Sequence, residues 1–131
     1  MSQANLVLAR HAVAAFNRRD VGALTELTTH DFEWVTWTGT VQPSTYRGAD
    51  GLAGYFRDAD VWGLLSLEVH EFRDAGDRVL VAGTLHARGH GSGVEITSPY
   101  YSAFYVRDGK LARVLSFRTE AEALEAAGLE E

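Results

Sequence analysis

Cysteine is missing from this sequence altogether, and lysine occurs once, as Lys110. Without cysteine the protein contains no disulfide bond and no thiolate-ligated metal site. The single lysine lies in a predicted turn, the arginines are scattered, and the formal net charge is −6. A surface for duplex nucleic acid requires clustered lysine and arginine side chains. The composition therefore favours a small molecule or another protein as the partner and argues against nucleic acid.

Long apolar runs are also missing from the chain. No stretch resembles a signal peptide or an apolar segment of about twenty residues that spans a membrane. We therefore expect no membrane association and a cytoplasmic location. The 131 residues, 46% of them hydrophobic, are enough for a core that buries roughly two-thirds of the unfolded surface. We predict a single domain over residues 1–131.

Helical patterns occupy the first part of the chain and its end. Apolar residues recur at three- and four-residue spacing in Gln3–Arg18, which predicts a first helix with one buried stripe. Asp20 is a suitable N-cap for a second, short helix, and Asp50 for a third helix that ends near residue 58. Thr119 and Glu122 form a capping box that predicts a short terminal helix.

Strand patterns fill the remaining chain. Alternation over Asp31–Thr38 predicts a first strand, and the proline-containing segment Gly39–Gly48 is predicted to be a loop. The later strands form an antiparallel meander, predicted over Leu64–Arg73, Arg78–His90, Val94–Val106 and the second half of Pro99–Thr119. Asp108-Gly109 lies between two alternating, β-branched and aromatic runs, which is a strong hairpin signal.

The order of these elements predicts the fold class. Helices and meander strands are segregated along the chain, which is typical of an α+β fold. We predict three helices packed on a strongly curved, mostly antiparallel sheet, with a cavity between the first helix, the third helix and the concave face. The spacing of Leu67, Val69 and Phe72 implies a bulge in the first meander strand.

Five short segments carry a resemblance to a known family. They are Ala14–Asp20, Asp31–Trp34, Tyr46–Gly48, Asp74–Val79 and Val106–Lys110. Through them the chain resembles the SnoaL-like branch of the nuclear transport factor 2-like superfamily. The resemblance implies a cone-shaped α+β barrel of cystatin-like topology, usually a homodimer through the outer sheet face. It also implies an apolar pocket, which isomerases, epoxide hydrolases, dehydratases, polyketide cyclases and plain binders of the family use.

The sequence departs from the family at several positions. In similar ketosteroid isomerases three catalytic positions match Thr36, Ala12 and Ser102 here, and in similar limonene-epoxide hydrolases an essential aspartate matches Ser116. The resemblance therefore does not carry either of these two activities to this chain. Arg19 stands where the family commonly has glycine, at a cost of about 1 kcal/mol if the turn requires positive φ.

Strand alternation predicts the side chains that share the pocket. If Thr36, Ser102 and Ser116 face it, residues two positions away along each strand face it too. Those residues are Trp34, Tyr100, Phe104, Val114 and Arg118. We add Tyr46 and Tyr55 to the predicted ligand-binding set. This lining suits a flat, largely apolar ligand whose carbonyl or carboxylate is held by Arg118, unless Arg118 pairs with a nearby glutamate instead.

Proton transfer near neutral pH is best served by histidine. Of the five histidines, His86 is the predicted candidate, because similar scytalone-type dehydratases use strand histidines together with tyrosines. The predicted catalytic residues are His86, Tyr100 and Arg118; a buried strand glutamate such as Glu68, Glu71 or Glu95 is an alternative base. His86 and His90 would lie about 13 Å apart on one strand face, too far to share a metal ion. We expect no metal and no cofactor.

Three functions stay open at this point. The first is an acid-base enzyme, of isomerase, dehydratase or cyclase type, that acts on an apolar cyclic substrate. The second is a ligand carrier with the same pocket, and the third is a protein-interaction module that uses the outer sheet face. That face is predicted to be apolar at Val94, Ile96, Leu111, Leu115 and Phe117, which favours a homodimer. Alternatively, these residues pack under the terminal helix.

Overall fold

The computed structural model describes residues 3–36, 44–91, 93–117 and 119–128. The helices of this part are α1 (Gln3–Asn17), α2 (Val21–Leu27), α3 (Gly48–Asp58) and α4 (Glu120–Ala127), with a 3₁₀ turn over Ala59–Val61. The strands are β1 (Thr28–Thr36), β2 (Ser44–Arg47), β3 (Trp62–Asp74), β4 (Arg78–Gly89), β5 (Glu95–Arg107) and β6 (Lys110–Phe117). None of the described helices is long and apolar enough to cross a membrane.

The described strands form one sheet in the order β2-β1-β6-β5-β4-β3. Every neighbouring pair is antiparallel except β1 and β6, which run parallel because the last strand of the meander returns beside the first strand of the chain. The predicted α+β fold with a mostly antiparallel curved sheet is confirmed. The predicted loop over Gly39–Gly48 was wrong in part, since β2 lies inside it and pairs with β1.

Two turns have the backbone that the sequence indicated. Asp108 and Gly109 have φ angles of 54° and 77°, and positive φ at both central residues is characteristic of the type I′ hairpin turn. Arg19 also has a positive φ, 55°, so the backbone strain anticipated for an arginine there is present. Its guanidinium donates a hydrogen bond to the carbonyl oxygen of Trp62, which ties the turn after α1 to the start of β3.

The helix caps follow the sequence at two of three ends. Asp20 accepts a hydrogen bond from the backbone N–H of Ala23, and Thr119 accepts one from the N–H of Glu122, as predicted. The cap predicted for α3 was wrong. That helix begins at Gly48 with Arg47 in the N-cap position, and Asp50 lies within the first turn. The carboxylate of Asp50 still favours the helix there, because the first turn carries a partial positive charge.

The side chain of Asn17 fastens α1 to β3. Its Nδ2 donates to the carbonyl oxygen of Leu67 at 3.0 Å, and its Oδ1 accepts from the Leu67 N–H at 2.8 Å. The amide therefore satisfies both backbone polar groups of Leu67, as a neighbouring strand would. Because these two hydrogen bonds are partly buried, they fix the last turn of α1 over the sheet.

The apolar core lies on both faces of the sheet, but unequally. The main core fills the concave side, where α1 and α3 pack on the strands, and it includes Leu111. On the outer face α4 covers a smaller cluster of Leu80, Ala123 and Leu124, with Phe117 packed beside it. The predicted outer placement of Leu111 and Ile96 was therefore wrong, since Ile96 also faces the concave side. Phe117 follows the alternative prediction of packing near the terminal helix.

A bulge bends β3 where the sequence predicted one. Val69 lies opposite Gly83 and Glu71 lies opposite Ala82, so His70 is the extra residue. A Cβ atom at Gly83 would lie only 2.1 Å from the carbonyl oxygen of Glu68, so only glycine allows the two backbones to approach this closely. Bulges bend the strand and increase its twist, and this one contributes to the curvature of the sheet.

We expect Gly83→Ala to lower the free energy of unfolding by about 2 kcal/mol or more, because the new methyl group forces the backbones of β3 and β4 apart. Gly22→Ala is the matched control. Its Cβ would have no neighbour closer than 3.7 Å, and alanine favours the α2 helix. Urea unfolding followed by circular dichroism measures both variants. Unchanged stability in Gly83→Ala would show that the close approach does not constrain the sheet.

Candidate functional site

A cavity of about 510 Å³ lies between α1, α3 and the concave face of the sheet, where the sequence predicted one. Its walls are mostly apolar. The aliphatic lining residues include Ala12, Val13, Leu52, Leu65, Leu67, Leu85, Ala87 and Val114. A volume of this size, with few polar groups, is typical of small-molecule pockets.

Aromatic side chains form one wall of this cavity. Trp34 on β1 and Tyr55 on α3 have ring centroids 4.1 Å apart at an interplanar angle of 32°. Tyr46 on β2 meets Tyr55 edge to face at 5.4 Å, and Phe16 on α1 lies 6.1 Å from Trp34. A Cβ atom at Gly51 would lie 2.7 Å from the carbonyl carbon of Tyr46. Glycine thus lets α3 pack directly on β2 and holds the wall together.

Hydroxyl groups from two neighbouring strands meet on the concave face. Ser102 on β5 lies directly opposite Ser116 on β6, and Tyr100 precedes Ser102 by two residues, so all three side chains share this face. Burial raises the pKa of the Tyr100 phenol, and this effect outweighs the opposite effect of the two serine hydroxyls. Tyr100 therefore remains a neutral hydrogen-bond donor at physiological pH.

Three buried polar atoms near the cavity have spare hydrogen-bonding capacity. The Oγ atoms of Ser102 and Ser116 and the Nε1 of Trp34 have no partner with full hydrogen-bond geometry among the described residues. Burial of such a group without a partner costs about 1–3 kcal/mol. Trp34 and Ser116 line the cavity, so these atoms belong to side chains that a bound molecule would contact.

The remaining polar feature is a tyrosine-carboxylate pair. The hydroxyl of Tyr46 donates to Oδ2 of Asp58 at 3.0 Å, and both residues line the cavity. Burial raises the pKa of Tyr46, and the hydrogen bond to Asp58 and its negative charge raise it further. Asp58 is exposed as well as cavity-lining, so the pair lies where the cavity meets solvent. Sequence reasoning missed Asp58, although its position three residues after Tyr55 places both on one face of α3.

The structure brings most of the predicted ligand-binding residues together. Those that line the cavity are Trp34, Thr36, Tyr46, Tyr55, Phe104 and Ser116, and the predicted catalytic residue Tyr100 joins them. Ser102 is fully buried beside Ser116. Arg118 lies outside the described residues. The roles assigned to these residues stay predictions.

His86 does not belong to this group, and its predicted place in the pocket was wrong. Leu85 and Ala87 line the cavity, so alternation turns the His86 ring to the outer face of β4. There its Nε2 lies 3.0 Å from Oε1 of Glu68, and this contact is the main cause that lowers the pKa of Glu68. The alternative base Glu68 is therefore on the outer face as well. None of the five histidines is among the described cavity-lining residues.

Chemically, this arrangement can enclose an apolar ring system and donate hydrogen bonds to it. Tyr100 and Ser116 supply neutral hydroxyls in an apolar environment, where an oxygen acceptor on a ligand replaces water as the partner. Asp58 is the only charged side chain among the described lining residues. The cavity thus offers weak polar recognition by hydroxyls and one negative charge.

Comparison with known proteins gives consistent results. The family model described as SnoaL-like domain matches residues 9–114. No curated protein sequence matches the chain significantly. Among solved structures, TerC co-crystallised with polyporic acid is 25% identical, over 96% of this chain and 99% of that chain, with a TM-score of 0.77.

Two further structures share the fold. An NTF2-like protein from Burkholderia pseudomallei is 22% identical, over 95% of this chain and 97% of that chain, with a TM-score of 0.78. A cystatin-fold protein from Novosphingobium aromaticivorans is 20% identical, over 89% of this chain and 100% of that chain, with a TM-score of 0.73. These matches confirm the predicted cystatin-like topology.

The raised pKa of Tyr100 predicts a loss of stability at alkaline pH. Below the ordinary tyrosine value of 10.0 the folded and unfolded states both hold the proton. Above it the unfolded state ionises first, so folding stability falls as the pH rises. We expect the melting temperature to fall less between pH 9 and pH 11 in Tyr100→Phe than in the parent protein.

Tyr105→Phe, on the outer face of the same strand, controls for removal of a tyrosine hydroxyl from β5. Melting is followed by circular dichroism across the pH range. If Tyr100→Phe loses stability between pH 9 and pH 11 as steeply as the parent, the alkaline loss of stability does not come from Tyr100.

Proposed function

Because the chain belongs to the SnoaL-like domain family, we propose that its cavity binds an apolar, ring-containing small molecule with an oxygen acceptor that faces Tyr100 and Ser116. The observation that carries this proposal is the 510 Å³ cavity with neutral hydroxyls on an otherwise apolar wall. Apolar walls supply binding free energy through burial, and a few placed polar groups fix the orientation of the ligand.

The neutral state of Tyr100 supports an acceptor on the ligand. A phenol whose pKa is raised by burial keeps its proton and donates it in a hydrogen bond. A carbonyl, quinone or enol oxygen matches such a donor, and the adjacent Ser116 hydroxyl adapts by rotation to accept or donate. TerC, which was crystallised with polyporic acid, is consistent with a ring-containing oxygenated ligand in this fold.

Binding is favoured over catalysis by the described lining. General acid-base catalysis requires a group whose pKa suits proton transfer near the working pH. The described lining residues include no histidine, and their one carboxylate, Asp58, lies at the opening. A ligand carrier is therefore the main proposal. An acid-base enzyme that uses Tyr100 as proton donor is the second, because Tyr100 is a buried hydroxyl donor beside the cavity.

The protein-interaction module is less favoured, since such a module has no need for a cavity of this size. Homodimerisation through the outer sheet face stays a prediction. We expect sedimentation equilibrium to give twice the monomer mass at micromolar concentration, because Leu115 and its apolar neighbours on that face are only partly covered. A monomer at every concentration would contradict it.

The binding proposal predicts that blocking the cavity abolishes ligand retention. Ala87 faces the cavity from β4, so Ala87→Phe places a ring in the space of the ligand. We expect polyporic acid, or a hit from a panel of cyclic ketones, epoxides and enols, to bind the parent protein and to bind Ala87→Phe at least about tenfold more weakly. Isothermal titration calorimetry measures the affinities.

Ala82→Phe is the matched control, because it adds the same ring to the outer face of the same strand. Circular dichroism establishes that both variants fold. Chromatography with mass detection then distinguishes the two proposals: a retained, unchanged compound supports the carrier, and a converted compound supports the enzyme. Equal binding to Ala87→Phe and the parent would refute the cavity as the binding site.

A further inference from the structure

One charged group stands out in the cavity described above. Asp58, at the last turn of α3, is the only aspartate, glutamate, lysine, arginine or histidine among the described lining residues. It is also exposed, so it is reached by solvent and by an incoming molecule. A ligand that fills this part of the cavity therefore lies within reach of the carboxylate.

The carboxylate is only partly satisfied within the protein. Its Oδ2 accepts one hydrogen bond, from Tyr46 at 3.0 Å. A carboxylate offers about four acceptor positions on its two oxygens. Among the described residues, no arginine, lysine or histidine forms an ion pair with Asp58. Asp58 therefore has both charge and acceptor capacity left for a ligand.

The side of the cavity next to the Tyr46–Asp58 pair is aromatic. The rings of Tyr46, Tyr55 and Trp34 pack next to one another on this side of the cavity. The faces of aromatic rings carry partial negative charge and attract cations. An anionic ligand group at the same place would be repelled by the carboxylate.

This polar feature lies apart from the hydroxyls of Tyr100 and Ser116. Asp58 is held against the edge strand β2, whereas Tyr100 lies on β5, and β1 and β6 lie between these strands. Strands in a sheet are spaced by about 4.8 Å, so β2 lies roughly 14 Å along the sheet from Tyr100 on β5 and roughly 10 Å from Ser116 on β6. A molecule that reaches both has the length of two or three fused or linked rings.

We infer that Asp58 determines ligand specificity, selecting ring compounds whose outer end carries a protonated amine or a hydroxyl and rejecting those that end in a carboxylate. This inference rests on the proposed binding function. Tyr46 is a positioning residue, because its hydrogen bond fixes the carboxylate while leaving the second oxygen open to the ligand.

The test compares three probes of one shape and different charge: 1-naphthylmethylamine, 1-naphthalenemethanol and 1-naphthoate. We expect the cationic amine to bind about fivefold to tenfold more tightly than the neutral alcohol at pH 7, since a charge-assisted hydrogen bond to a partly exposed carboxylate has this effect. The anionic naphthoate binds most weakly. Isothermal titration calorimetry at low ionic strength measures all three affinities.

Variants then assign the selectivity to one side chain. Asp58→Asn keeps an acceptor for Tyr46 but removes the charge, so the affinity for the amine falls to that of the alcohol, whose own affinity changes by less than about twofold. Tyr46→Phe retains the charge and retains the preference for the amine, at a reduced ratio. Asp60→Asn is the matched control, because it removes an exposed charge two residues away that does not line the cavity.

The possible results distinguish a wrong role for Asp58 from a wrong proposal of ligand binding in the cavity. If the three probes bind the parent and the Asp58→Asn variant with the same ratios, Asp58 does not select the ligand, while the cavity still binds. If Asp60→Asn loses as much amine affinity as Asp58→Asn, the preference for the amine comes from the overall negative charge of this region. That result would overturn the role of Asp58. Failure of all three naphthyl probes to bind the folded parent protein would overturn the inference, whereas the binding function is tested separately by polyporic acid and the panel of cyclic ketones, epoxides and enols.

Discussion

The close approach of β3 and β4 at Gly83 is the contact on which the rest of the structure depends. No side chain fits between Gly83 and the Glu68 carbonyl, and the bulge at His70 begins one residue beyond that contact. Leu67 and Val69 face the main core before the bulge. Because the bulge adds one residue, Phe72 faces the same core after it, although it is three positions from Val69. Asn17 anchors α1 to Leu67 on the same strand, so the helix spans the concavity that the bend helps to create. A flatter sheet would lose this concavity and, with it, the space of the cavity.

The sheet separates two kinds of polar chemistry on its two faces. The outer face carries charge pairs in contact with water, such as Glu33 with Arg47 and Arg113 and Glu68 with His86. The concave face carries hydroxyls and an indole. Burial of an unpaired charge costs far more than burial of a hydroxyl, so neutral donors are the polar groups that the apolar wall tolerates. The only carboxylate of the described lining, Asp58, lies at the opening, where solvent still reaches it.

Much of the fold could be predicted because local chemistry decides it. Positive φ at Asp108-Gly109, the Asp20 and Thr119 caps and the bulge near His70 follow from rules that involve only a few neighbouring residues. The resemblance to the SnoaL-like family was inferred from short segments in a consistent order, and the family model that matches residues 9–114 confirmed it. The errors have a different origin. β2 is four residues long and exists because β1 offers it hydrogen bonds, and this pairing leaves no local signal in Ser44–Arg47.

The sequence by itself determined the class of fold, the turns, the family and which residues share a face with one another. It assigned His86 to the same face as Thr84 correctly, because alternation along a strand is a local property. Only the tertiary structure decided which of the two faces is concave, since this depends on where the helices dock and on how the sheet bends. For the same reason it placed His86 on the outer face and brought Asp58 to the cavity, a residue that no motif distinguishes. A cavity is a relation between elements distant in the chain, so the groups that line it are selected by packing.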